Sequence, residues 1–295
     1  TLTREMQIGG GAIRDPDISK LLQEARESVT LQDRMLLHAI PIGYSVDGGP
    51  LLKEPRSMHA QTVGVKMHVV TANESAVQNL VNCVARCHLT VSDFALAPYA
   101  AGLSALVEDE KDLGATVIDM GGGTTSFSVF YEGAAVYGDC IPVGGQHVTS
   151  DIARGLSTTL QQAERLKTLY GSCQPAPSDD RELIDAPRIG EEDDTSPNRV
   201  PRSFLVSIIA PRLEQTFELV RKRMEASGAN GMAGHGRPLK VSGLAEATGG
   251  PAFATAAGLL HFAVDDCGEA RGSTSQSTAN QNGLFAHIGK WFSGF

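Results

Sequence analysis

Val117-Ile118-Asp119-Met120-Gly121-Gly122-Gly123-Thr124-Thr125-Ser126-Phe127-Ser128-Val129-Phe130 is the stretch on which the fold turns. An apolar strand ends on a carboxylate, three glycines and two threonines form a tight turn, and a second alternating strand leaves. Glycine lets the backbone approach a ligand closely and adopt conformations closed to residues with a Cβ. Successive amide N–H groups in such a turn form an anion-binding concavity, to which the hydroxyls add donors. A strand-end Asp suits a magnesium ion held largely through water. The reading is a phosphate-gripping hairpin; three glycines by themselves would equally fit an ordinary turn.

Outward from the hairpin, Glu132-Gly133 makes a second turn and Ala134 to Val143 a third strand, so an antiparallel meander is expected. Gly144-Gly145 leads into a helix over about His147 to Leu156, where a glycine pair could bring N–H groups toward a nucleotide. Ser157 or Thr158 caps a further helix, Leu160 to Tyr170, on which Glu164 and Lys167 share a face. By spacing alone that pair is a solvated ion pair.

On the N-terminal side, Asp15-Pro16 reads as an N-cap with proline at the first helical position, opening a helix to about Ser28. Met35 to Val46 is β-rich, and Val63, Val65, Met67 and Val69 alternate as a half-buried strand. His38 and His68 fit surface or hydrogen-bonded core positions better than metal ligands. Thr71-Ala72-Asn73-Glu74 suggests a capping box, followed by a helix with Ala76, Val77, Leu80, Val81, Val84 and Cys87 as its buried stripe. Val91 to Leu96 reads as a strand, and Pro98 to Ala105 as a helix of small residues suited to close packing.

Composition bounds the rest. The 295 residues, 41% apolar with 32 glycines, describe a globular chain long enough for two modest domains. A net charge of −9 offers no basic stripe for nucleic acid. Five cysteines, odd in number and irregularly spaced, fit a reducing compartment; Cys83 and Cys87 are expected as buried core thiols. No apolar run approaches the ~20 residues that span a bilayer.

C-terminal to the meander, 174–202 is a polar interruption whose Asp179-to-Asp194 portion has eight acids and two bases, expected as a solvated hairpin or loop. Leu205, Ile208, Ile209, Leu213, Phe217, Val220 and Met224 mark a long helix. Residues 268–282 are rich in Ser, Thr, Gln and Asn, as a flexible tether would be. Beyond it Leu284, Phe285, Ile288, Trp291, Phe292 and Phe295 fall on one helical stripe. Thirteen helical residues reach about 20 Å, too short to span, so insertion into a membrane surface is expected. One such helix binds weakly and needs several copies acting together.

These motifs resemble a known family. Asp112 through Thr125 resembles the second phosphate motif of the actin, hexokinase and heat-shock chaperone superfamily. Within it, Leu36 to Pro41, His68 to Thr71, Pro142 to Ala153, Ala163 to Lys167, Ile208 to Arg212 and Pro251 to Leu259 resemble the bacterial cell-division FtsA family, in order along nearly the whole chain. The resemblance implies an α/β fold with α+β elements, actin-like (ribonuclease-H-like) and two-lobed. Residues 1–70 would be a small inserted subdomain, 71–106 the remainder of the first lobe with a connecting helix, and 107–267 the second lobe, with a partner-binding insertion at about 172–228. The linker, 268–282, and the amphipathic helix, 283–295, would complete the chain.

It further implies ATP and magnesium as ligands, held by Asp119 (magnesium, through water), Gly121, Gly122, Gly123, Thr124, Thr125 and Gly145, with Glu164 and Lys167 on the adenosine side. Implied partners are the C-terminal peptide of the tubulin-like ring protein FtsZ, further copies of the chain, later division proteins through residues 1–70, and the inner face of the cytoplasmic membrane at the division site. Two departures shape the expectation for this chain. The family's first phosphate loop would precede Thr1, suggesting a fragment with an exposed sheet edge, and the late adenosine motif between Glu225 and Pro238 is short. Weak or absent ATP binding, and at most weak ATPase activity, are therefore expected. A small-molecule kinase of the superfamily and an actin-like scaffold of a pilus or secretion machine are the alternative readings.

Overall fold

The computed structural model describes residues 1–190, 198–228 and 251–264. These divide into two compact units, Thr1–Ala95 and a second beginning at Leu96.

The first unit runs β1 (Leu2–Gln7), α1 (Asp15–Glu27), β2 (Arg34–Val46), β3 (Thr62–Asn73) and α2 (Glu74–Ala85). Its sheet is antiparallel in the order β1-β3-β2, with Leu2 opposite Met67 and Met6 opposite Val63. The period-2 pattern of β3 puts Val63, Val65 and Met67 on the face covered by Ile18, Leu21 and Ala25 of α1, all buried. Side chains of this size contribute about 1.5–3 kcal/mol each when fully buried. His38 and His68 are buried too, as core residues. The N-cap of α1 is Arg14 and not Asp15, because the Asp17 carboxylate accepts the Arg14 N–H at 3.0 Å.

Three expectations fail in the neighbouring segment. The cap of α2 is Asn73, whose Oδ1 accepts the Ala76 N–H at 3.0 Å; Thr71 stays in β3, with its hydroxyl held by Arg34. Of the proposed buried stripe of α2 only Val77 is buried, while Leu80 is 64% exposed and Cys83 and Cys87 are exposed. Periodicity identifies a helix with an apolar face without supplying anything to cover that face. Val91 to Leu96 forms no strand, since β propensity makes no ladder without a neighbouring strand to pair with.

The second unit begins with α3 (Ala97–Ala105) and α4 (Glu108–Leu113). The meander follows as β4 (Ala115–Met120), β5 (Thr125–Tyr131) and β6 (Ala134–Ile141), paired antiparallel in that order. Next come α5 (Gly145–Leu156), α6 (Leu160–Tyr170), the short antiparallel pair β7 (Leu183–Asp185) and β8 (Arg199–Pro201), α7 (Arg202–Ser227) and α8 (Ala254–Val264). Helix α6 is capped by Thr159, because Ser157 takes the left-handed conformation that ends α5.

Helix α7 ties this unit together. Leu205 and Ile209 in its first half pack with Ile152, Leu156 and Leu166 of α5 and α6, and Val220 in its second half packs on Phe127, Val129 and Ile141 of the meander. Arg212 pairs with Asp151 of α5 at 2.5 Å. Within the polar interruption β7 and β8 pair antiparallel beside the buried Asp179, which accepts from Arg202 Nη1 at 2.9 Å and from the Ala176 N–H at 2.7 Å. Small residues bring α3 and α8 together as expected, with Ser104 Oγ donating to the Ala254 carbonyl at 2.6 Å.

Candidate functional site

At the tip of the hairpin the Gly121 N–H donates to the Thr124 carbonyl at 2.9 Å. The Gly121 and Gly122 carbonyls point back into the protein, where they accept the Gly145 and Gln146 N–H groups at 3.0 and 2.8 Å. This bond pattern requires glycine at 144, since a Cβ there would lie 2.5 and 2.6 Å from those two carbonyl oxygens. With its carbonyls turned inward, the turn presents its amides outward. The N–H groups of Gly122, Gly123 and Thr124 have no acceptor among the described residues, and all three residues are exposed. Three consecutive unpaired amides on an exposed turn are donors that phosphate oxygens could accept from.

The other site residues take up distinct positions. Thr125 is fully buried and its hydroxyl donates to the Val143 carbonyl at 2.8 Å, so it braces the hairpin from behind and does not face outward. Gly145 joins two parts of the wall: its N–H holds Gly121, and its carbonyl accepts from Lys167 Nζ at 3.2 Å and Thr149 Oγ1 at 3.0 Å. The Gly145 amide is thereby engaged within the protein, unlike the amide-donating role expected of it. Glu164 and Lys167 pair at 2.7 Å, with Glu164 the more exposed of the two. Hydrogen bonds from Lys167 and then Thr149 hold the Glu164 carboxyl below the usual carboxylate range. The hairpin, Gly145, Glu164 and Lys167 therefore form one connected wall.

Asp119 lies at the end of β4, and its Oδ2 accepts from Thr255 of α8 at 3.2 Å. Among the described residues no group of three or more His, Cys, Asp or Glu side chains could hold a metal. A lone carboxylate at a phosphate loop still fits magnesium, which keeps most of its water and needs one or two carboxylates plus phosphate oxygens.

Thr149 and Thr255 were not legible as site residues, because no sequence spacing links them to the groups they touch. The residues expected to bind a membrane, Leu284, Phe285, Ile288, Trp291, Phe292 and Phe295, and the segment expected to carry the late adenosine motif lie outside the described residues. Among the described residues, no helix is long and apolar enough to cross a membrane. Cys83 and Cys87 are exposed, contrary to the expectation of core thiols, and so are Cys140 and Cys173.

Two family models match the chain: "Cell division protein FtsA" over residues 116–258 and "SHS2 domain inserted in FTSA" over residues 1–71. The cell division protein FtsA of Rhizobium meliloti (strain 1021) is 41% identical over 98% of this chain and 72% of its own length. That of Neisseria meningitidis serogroup B is 30% identical over 97% and 76%. Among solved structures, MreB5 of Spiroplasma citri bound to ADP aligns with a TM-score of 0.45 and 21% identity, over 55% of this chain and 54% of that one. The inserted subdomain and the hairpin-bearing unit thus follow one another in a single chain, which belongs to the FtsA family of cell-division proteins.

Proposed function

We propose that the chain is an actin-like adaptor of cell division. It tethers FtsZ to the inner face of the cytoplasmic membrane at the division site and helps recruit later division proteins through residues 1–70. The observation that carries the tethering role is the terminal stripe of Leu284, Phe285, Ile288, Trp291, Phe292 and Phe295 at the end of a polar linker. An apolar helical face on a leash binds a membrane surface in proportion to its buried area, and self-assembly multiplies a weak single contact. For the FtsZ C-terminal peptide, support comes from an open groove along α7 lined by Leu213, Phe217, Glu214 and Arg221 beside Cys173. A lining of both apolar and charged residues suits an extended peptide with both kinds of side chain.

The site takes an adenine nucleotide with magnesium, and takes it weakly, as the short late adenosine segment leads us to expect. The Gly122, Gly123 and Thr124 amides receive phosphate oxygens, Asp119 holds the cation through water, and the α6 pair lies on the adenosine side. Nucleotide then serves assembly more than turnover.

Sedimentation with anionic liposomes tests the tether. The full chain pellets with vesicles, and a chain ending at Asn282 stays in the supernatant. Equal pelleting of the two would overturn the anchor.

A further inference from the structure

The three ammonium protons of Lys167 are all engaged inside the protein. Nζ donates to Glu164 Oε2 at 2.7 Å, Thr149 Oγ1 at 2.8 Å and the Gly145 carbonyl at 3.2 Å. A lysine has three donors and no acceptor, so none is left for a ligand. Thr149 is buried at 6% exposure. Its hydroxyl accepts from Lys167 and has one proton of its own, with Glu164 Oε2 at 2.5 Å and the Gly145 carbonyl at 3.0 Å as acceptors. The shorter bond, to a charged carboxylate, is the stronger. Both protein contacts of the Glu164 carboxylate therefore converge on Oε2, and Oε1 stays open on a half-exposed side chain. The same hydroxyl lies beside Gly145, whose N–H anchors the phosphate hairpin through Gly121.

We propose that Thr149 is a positioning residue of the nucleotide site: it fixes Glu164 for the nucleoside end of the ligand, and Lys167 acts through this lock and not on the ligand itself. The inference rests on the nucleotide reading above. It assigns ligand contact on α6 to Glu164 Oε1 alone and gives a buried threonine on another helix a role in affinity.

The test is titration of the full chain with Mg-ATP and, separately, Mg-tripolyphosphate, followed by calorimetry and by amide chemical shifts. Thr149→Val, which keeps the shape and removes the hydroxyl, weakens Mg-ATP by about tenfold, the size of one charge-assisted hydrogen bond. Mg-tripolyphosphate, which has no nucleoside, binds it as it binds the unaltered chain. Thr149→Ser restores ATP affinity. Lys167→Met weakens ATP to the same degree, and combining it with Thr149→Val adds nothing further, as expected for groups acting as one unit. The proposal is overturned if Thr149→Val binds Mg-ATP normally, if Thr149→Ser is as impaired as valine, or if tripolyphosphate is lost in parallel. An unaltered chain that shows no shift with Mg-ATP at any concentration overturns the nucleotide reading itself, and the proposal with it.

Discussion

Replacing Gly258 by alanine pits two effects of opposite sign against each other. In an isolated helix the change stabilises by about 1 kcal/mol, because alanine has less backbone entropy to lose. In α8 a Cβ at 258 would run into the carbonyl group of Ala100 in α3, with the Ala100 Cα only 3.0 Å away. The obstacle is backbone, so no side-chain rotamer relieves it, and α8 must retreat from α3 by roughly 1 Å or more to regain ordinary contact. That retreat weakens the Ser104–Ala254 hydrogen bond and the edge-on contact between Tyr99 and Phe262, whose ring centroids are 6.3 Å apart. Overpacking costs about 1–3 kcal/mol and a lost buried hydrogen bond about another 1 kcal/mol, so the clash outweighs the propensity gain by about 2 kcal/mol. For a unit of this size the melting temperature falls by about 4–8 °C. Circular dichroism melts of Gly258→Ala beside Gly123→Ala, where a Cβ meets nothing within 4 Å, measure the difference. A Gly258→Ala protein that melts at or above the original temperature would refute the close α3–α8 contact.

Other predictions follow from single contacts. Asp179→Ala leaves Arg202 without its buried partner and destabilises by about 3 kcal/mol, read from urea unfolding, with the 172–203 region the first to become protease-sensitive. Burial, reinforced by the neighbouring His38, holds the His68 imidazole down to about 4. An unfolded histidine titrates near 6.5, so between these values the unfolded chain binds more protons and stability declines as pH falls through that window. The decline reaches at most about 3 kcal/mol and is absent at neutral pH; a His68→Asn variant shows a flatter pH profile in denaturant titrations. Native protein treated with a chromogenic disulfide reagent releases colour from Cys83, Cys87, Cys140 and Cys173 without denaturant. Cys140 reacts most slowly, because burial pushes its thiol up.

Local pattern carried much of the fold. Strict alternation in Val63, Val65, Met67 and Val69 identified β3 and its inward face, and the glycine turns at 121–123 and 132–133 identified the meander, because backbone sterics and period-2 geometry act within a few residues. The same locality explains the failures. Leu80, Val84 and Cys87 have helical spacing, yet whether a stripe becomes core depends on what the chain lays against it. Val91 to Leu96 has strand composition, yet a strand exists only where a partner supplies its hydrogen bonds.

The candidate site divides in the same way. The residues Asp119, Gly121 to Thr124, Gly145, Glu164 and Lys167 were all named from sequence, by turn chemistry and by family resemblance. Their working orientation was decided only by tertiary structure. Thr125 and Thr124 are neighbours of one chemical type, and the pleat turns the first into the core toward Val143 while the second stays exposed. Gly145 was placed for its amide, but packing of α5 under the hairpin engages that amide with Gly121 and leaves the carbonyl to organise Lys167 and Thr149. The sequence by itself determined which groups the chain carries and which elements hold them. Which atoms of those groups face outward was settled by hydrogen bonds between residues 15 to 24 positions apart, a separation at which no sequence period operates.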